Sequence, residues 1–230
     1  MGKVLFMRKG EVHTAPSVGL ELSTIAEGSI VKLNENGSPV EFYVAKHNYE
    51  ESLNGAGRTL LVRKDGSDAT KWHSVKNLKD YATSDIDTWL NGTYKALLDT
   101  AVQEAIKSTT FYYGPTGIEF SNSTLTREVF LLSLTELDKE PTTVTPVSEG
   151  SALPIASALQ IATNAAGTAV DQWTRTTLVS SSTSTTANTY YVTSSGGCGN
   201  ALCTTTRRAR PAFTLPSTAL FDANTLNFIE

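Results

Sequence analysis

The chain has little of what most enzymes and metalloproteins are built on. Its 230 residues include two cysteines and three histidines. Zinc needs clustered Cys and His ligands, and neither Cys198 nor Cys203 has a histidine nearby, so no metal site is expected. Nucleophilic catalysis needs a Ser, Cys or Thr beside a base and an orienting acid. No Gly-x-Ser-x-Gly elbow surrounds any serine, and His13, His47 and His73 lie far apart in sequence. The chain therefore reads as a non-enzyme without a cofactor. No apolar run approaches the roughly 20 residues that span a bilayer, so no membrane insertion is expected. The opening Met1–Gly10 stretch lacks the long apolar core and cleavage site of a secretory signal, and Phe6 stands where myristoylation requires Ser or Thr. A net charge of −4 argues against a nucleic-acid partner. No repeat of 20 to 50 residues points to a solenoid or propeller.

What is present reads first as β structure. Val4 to Met7 suits a short strand, and residues 10–19, with Pro16 and Gly19, read as an arm. Ile30–Leu33 and Val40–Val44 flank Asn34-Glu35-Asn36-Gly37, and Asn-Gly between apolar runs is a hairpin signal because both residues tolerate positive φ. Thr59 to Arg63 makes a third strand, closed by Asp65-Gly66. Ser84-Asp85-Ile86-Asp87 resembles a capping box, with Ile86, Trp89 and Leu90 on one face and Asn91-Gly92 as the stop. A second helix is expected near Asp99, with Val102, Ala105 and Ile106 inward. Glu128 to Leu134 has the length of a buried central strand. Residues 141–161 read as a long excursion with one helical turn. Two short helices between β segments predict an α+β class, divided into an arm at residues 1–20 and a domain at residues 21–230.

The last third carries the most specific pattern. Trp173-Thr174-Arg175 is followed by a Ser/Thr-rich stretch and then Asn188-Thr189-Tyr190-Tyr191-Val192-Thr193. After the small-residue segment Ser195-Gly196-Gly197-Cys198-Gly199-Asn200, the chain closes with Arg210-Pro211-Ala212-Phe213. This ending, with Trp72-His73-Ser74, Asp85 to Asn91 and Val129 to Ser133, resembles the C-type-lectin fold of bacteriophage tropism determinants and related phage-borne proteins over residues 20 to 221. The resemblance implies small antiparallel sheets, long loops and mostly buried Trp89 and Trp173. It also implies residence in the virion, a trimer, attachment to other virion proteins through the arm, and contact with a bacterial surface protein or glycan. Asn188, Tyr190, Asn200 and Leu202 are the positions the resemblance assigns to that contact. Two functions remain open: receptor binding from a tail tip or fibre, and a structural role in a capsid or baseplate. Calcium-dependent sugar binding is not expected, because Asp138-Lys139-Glu140-Pro141 stands in place of the paired acidic motifs such lectins use.

Three smaller readings complete the sequence. The Tyr, Ser, Gly and Asn content of residues 186–206 matches what paratopes use, or it solvates a β surface. Tyr190 is expected outward and Tyr191 inward, since strand neighbours face opposite sides. Arg207-Arg208-Ala209-Arg210 suits a strand whose arginines alternate between solvent and a carboxylate; the other reading is contact with phosphate or acidic glycan. Cys198 and Cys203 are close enough to close a small disulfide loop, or they are free thiols.

Overall fold

The computed structural model describes residues 19–77, 80–115, 123–141, 148–178 and 187–229. The expected strand at Val4–Met7 and the arm therefore lie outside the described residues, apart from Gly19 and Leu20. The described body begins at Gly19–Glu21, which pairs antiparallel with Leu220–Asp222 and ties the chain's entry to its end. The class is α+β: small sheets and short helices, with two five-stranded sheets as the frame.

The first sheet runs Ile30–Glu35, Ser38–His47, Arg58–Arg63, Ala212–Pro216, Val129–Phe130, all antiparallel. Its opening hairpin turns at Asn36 (φ 51°) and Gly37 (φ 72°), the two positive φ values the Asn-Gly pair supplies cheaply. Val31, Leu33, Phe42, Val44, Leu60, Leu61, Phe213 and Leu215 are buried here, and the Phe42 and Phe213 rings meet at 5.4 Å. The expected central strand at Glu128–Leu134 is corrected. Only Val129–Phe130 is strand, and it lies at the sheet's edge. Leu131, Leu132 and Leu134 are buried as irregular backbone, so the apolar run signalled burial and not a central place in the sheet.

The second sheet runs Cys198–Leu202, Asn188–Val192, Gln172–Thr177, Thr206–Arg208, Ala69–Lys71. It is not wholly antiparallel as expected, because Gln172–Thr177 and Thr206–Arg208 run parallel. The chain then passes through Ala209-Arg210-Pro211 straight into Ala212–Pro216, joining the two sheets. Arg210 holds that crossover: it is buried and donates to the Arg63 and Leu159 carbonyls at 2.8 and 2.7 Å.

The helical segment after Ser84 touches both sheets, Asp85–Trp89 meeting Ala69–Lys71 and Leu90–Tyr94 meeting Val129–Phe130. Ser84 caps Asp85–Trp89 through its hydroxyl, which accepts from the Asp87 backbone N–H at 3.2 Å. The Asp87 carboxylate does not close the box; it takes Arg127 at 2.7 Å instead. Asn91-Gly92 does not stop the helix. The backbone continues as a π turn over Leu90–Tyr94, then a 3-10 turn over Lys95–Leu97. Asn91 is committed sideways: its Nδ2 donates to the Val129 carbonyl and its Oδ1 accepts from the Val129 N–H. That clamp to the edge strand replaces a C-cap. Trp89 is half-buried against Tyr94, and Trp72 and Trp173 are the deeply buried tryptophans. The second helix forms at Thr100–Ala105 with Val102 and Ile106 buried, and the helical turn in the long excursion at Ala156–Leu159. Glu51–Asn54 adds a short α-helix beyond the two helices and the helical turn that were expected.

Candidate ligand-binding surface

The hairpin of Asn188–Val192 and Cys198–Leu202 forms one margin of the second sheet. Its register pairs Asn188 with Leu202 and Tyr190 with Asn200. Cross-strand partners share a face, so all four residues assigned from the sequence lie on the same side of the hairpin. Three of them are accessible there. Asn200 and Leu202 are exposed, Leu202 at 37%, and Asn188 is partly exposed. Asn188 Nδ2 donates to Asn200 Oδ1 at 3.1 Å, which sets the two amides side by side.

Tyr190 is the correction. It is 1% exposed and belongs to the hydrophobic core, whereas Tyr191 is only partly buried. Alternation along the strand was right and its phase was wrong. Tyr190's side continues into Val192, also fully buried, whereas Tyr191 lies across glycine. A Cβ on Gly199 would stand 2.6 Å from Tyr191 Cζ, so only glycine leaves room for that ring.

Tyr191 begins a ladder across the sheet's other side. Trp173, its register partner, meets it edge-on at 6.0 Å. The Arg207 guanidinium then sits 3.6 Å from the Tyr191 ring centroid and 5.0 Å from that of Trp173. Trp173 Nε1 donates to the Thr70 carbonyl at 3.0 Å, which locks the indole. The basic cluster meets the expected solvent–carboxylate alternation only in the Arg207–Asp171 ion pair at 3.4 Å. Arg207 lies on aromatic rings, Arg208 donates to the Ser67 carbonyl at 3.0 Å, and Arg210 is buried among carbonyls. Burial lowers the Arg210 pKa to about 10, which leaves it protonated at neutral pH.

At the middle of this sheet, Gln172–Thr177 is buried at every position despite its polar letters. Arg175 is wholly buried. It donates to Glu136 Oε2 at 2.6 Å and to the carbonyls of Leu131 at 2.9 Å, Tyr112 at 3.0 Å and Glu149 at 3.1 Å. Its guanidinium also lies 4.7 Å from the Phe111 ring centre. Glu136 takes the Tyr49 hydroxyl through Oε1 and the Ser133 N–H at 2.9 Å through Oε2. The Glu149 carboxylate accepts from Thr176 and from the Gly114 N–H at 2.6 Å. Burial nevertheless raises the Glu149 pKa, and burial together with Glu136 raises that of Tyr49. This centre is structural: it pins residues 131–137 and 148–150 to the sheet, and it was invisible in sequence because its members are spread from 49 to 176.

The remaining side chains with chemical potential stand apart. His73 is buried, its Nδ1 accepting from the Val75 N–H at 3.2 Å and lying 3.3 Å from Asp85 Oδ1. Cys198 and Cys203 are free thiols, both raised in pKa by burial. Cys203 turns its sulfur toward the Val75 carbonyl at 3.4 Å. Among the described residues no group of three or more His, Cys, Asp or Glu side chains could hold a metal ion, and no helix is long and apolar enough to cross a membrane.

Residues 56–217 match the family described as Domain of unknown function (DUF6273). The chain belongs to this family. The match spans Trp72, Arg175 with Glu136 and Glu149, the Asn188–Leu202 hairpin and the Arg207 ladder, while the opening hairpin at 30–47 and Tyr49 lie outside it. No curated protein and no solved structure matches the chain.

Proposed function

We propose that this DUF6273 protein is a bacteriophage virion-associated, lectin-like adhesion module that binds a host-cell surface receptor from a tail tip or fibre. One observation supports the reading most. Asn188, Asn200 and Leu202 come together on an accessible hairpin at the margin of a sheet whose centre is rigidly buried. Paired amides with an apolar neighbour offer donors, acceptors and contact area on a preorganised frame, which lowers the entropic cost of binding. The segment before Gly19 serves in this reading as the attachment to other virion proteins. A trimer would multiply a weak site into firm adhesion by raising effective concentration.

The test is adsorption of purified protein to host cells. Asn200→Ala and Leu202→Ala should each reduce cell-bound protein at least tenfold, the effect of losing a contact worth about 1.4 kcal/mol. Both positions are exposed, so melting temperatures should stay near the parent's. Undiminished adsorption by both variants would replace this reading with a structural role in the virion. Deleting residues 1–18 should abolish incorporation into particles while leaving adsorption by the free protein intact.

A further inference from the structure

The adhesion reading does not use the cation on the other side of the sheet. Arg207 is largely buried, its side chain 13% exposed. Its Nε and Nη1 are buried and make no hydrogen bond. The nearest carboxylate, Asp171 Oδ2, lies 3.4 Å from Nε, inside ion-pair range but outside hydrogen-bond geometry. The other Asp171 oxygen is occupied by the Ser194 N–H at 2.9 Å. A buried charge-bearing donor left unsatisfied is costly, and such groups in folded proteins call for a partner, often an ion. The rings of Tyr191 and Trp173 hold the guanidinium flat without satisfying its edge.

Arg207 also lines an open cleft of about 410 Å³. Around it stand Arg208, Asp171 and the exposed hydroxyl residues Ser194, Thr205 and Thr206. Arg207 is the cation turned into this cleft: Arg208, the next residue along the strand, pairs with Gln172 in the register and turns its Nη1 to the Ser67 carbonyl at 3.0 Å. A phosphate dianion would be over-charged for this lining and repelled by Asp171. The hydroxyls and the Asp171 carboxylate suit the hydroxyls of a sugar, and the volume falls within the range of small-ligand sites.

We propose that this cleft binds a carboxylated sugar, a uronic acid unit of an acidic glycan, with its carboxylate paired to Arg207. The ligand carboxylate takes the place of Asp171, the internal competitor, beside the Arg207 guanidinium. This site lies on the side of the second sheet opposite to Asn200 and Leu202, so it stands or falls independently of the adhesion surface.

The experiment is isothermal titration of the full chain with glucuronate and a glucuronate disaccharide, checked by tryptophan fluorescence. Glucose, acetate and inorganic phosphate are the comparison probes. Saturable binding of glucuronate is expected, at least tenfold tighter than glucose or acetate. Arg207→Met should weaken it at least tenfold. Asp171→Asn should strengthen it several-fold, because the competing charge is gone. That opposite sign would not arise from structural damage, and it keeps the test decisive should Arg207→Met fail to fold. Equal binding of acetate, tighter binding of phosphate, weakened binding by Asp171→Asn, or no glucuronate binding would each overturn the proposal.

Discussion

Replacing Glu136 by Gln tests the buried charge centre without opening a cavity, because the two side chains have nearly the same volume. Arg175 and Glu136 are each fully buried, 2.6 Å apart. Breaking a buried pair by neutralising one member costs about 3–5 kcal/mol, because the other charge is left in a poor dielectric. Two features decide where in that range the variant falls. The Glu149 carboxylate remains close enough to lower the cost, and three carbonyls still accept from Arg175. Against this, Glu136 also accepts from Tyr49 and Ser133, and a Gln amide nitrogen cannot accept. We therefore expect about 3 kcal/mol, a large share of the 5–15 kcal/mol that holds a typical fold together. At roughly 2–4 °C per kcal/mol for a chain of this size, the thermal midpoint should fall by about 6–12 °C. Glu41→Gln is the matched control. Its partner Lys64 lies at 2.5 Å, but both side chains are more than a third exposed, so the loss should stay below about 1 kcal/mol. The measurement is urea unfolding followed by circular dichroism, with thermal scans alongside. The double variant Arg175→Met/Glu136→Leu should be less damaged than either single change, since it removes both charges together. A Glu136→Gln loss no greater than that of Glu41→Gln would refute the assignment of this centre as a structural lock.

Other outcomes follow from the same geometry. Tyr190→Ala should cost about 3–5 kcal/mol in chemical denaturation, as for a large aromatic removed from a core; a stability change below 1 kcal/mol would contradict its burial. Gly199→Ala should cost roughly 1–3 kcal/mol, because the new Cβ drives the Tyr191 ring off the strand and unseats Arg207; unchanged Trp fluorescence and melting would count against the ladder. Glu149 has its folded pKa raised above the ordinary 4.5 by burial, so the folded state binds its proton more tightly than the unfolded chain. Its contribution is therefore present below pH 4.5 and lost as pH rises through the folded pKa. Glu50 and Asp87 shift the same way, while exposed Asp85 and Asp222 shift oppositely. Glu149→Gln should flatten, without abolishing, the decline of the urea midpoint from pH 4.5 upward, and an unaltered slope would show that Glu149 does not titrate there.

The sequence by itself determined the local elements whose causes are local. Asn36-Gly37 set the hairpin because two adjacent residues tolerate positive φ, and Ser84 began its helix because a hydroxyl can reach an N–H two or three residues on. Alternation placed Tyr190 and Tyr191 on opposite sides, and the register sets Asn188 across from Leu202 and Tyr190 across from Asn200. Tertiary structure decided everything that depends on what lies across the gap. Which tyrosine points inward was settled by Val192 on one side and Gly199 on the other. Asn91-Gly92 failed to end its helix because Asn91 found a partner in Val129, thirty-eight residues away. The run Glu128 to Leu134 has the apolar content of a central strand but forms only a two-residue edge strand, because apolar content reports burial while strand pairing depends on neighbours the run does not contain. The polar strand Gln172–Thr177 became the centre of a sheet because Glu136 and distant carbonyls satisfied Arg175. Hydrogen bonds and ion pairs are short-ranged in space and indifferent to separation along the chain, so a single sequence exposes the donors and acceptors but not their pairing.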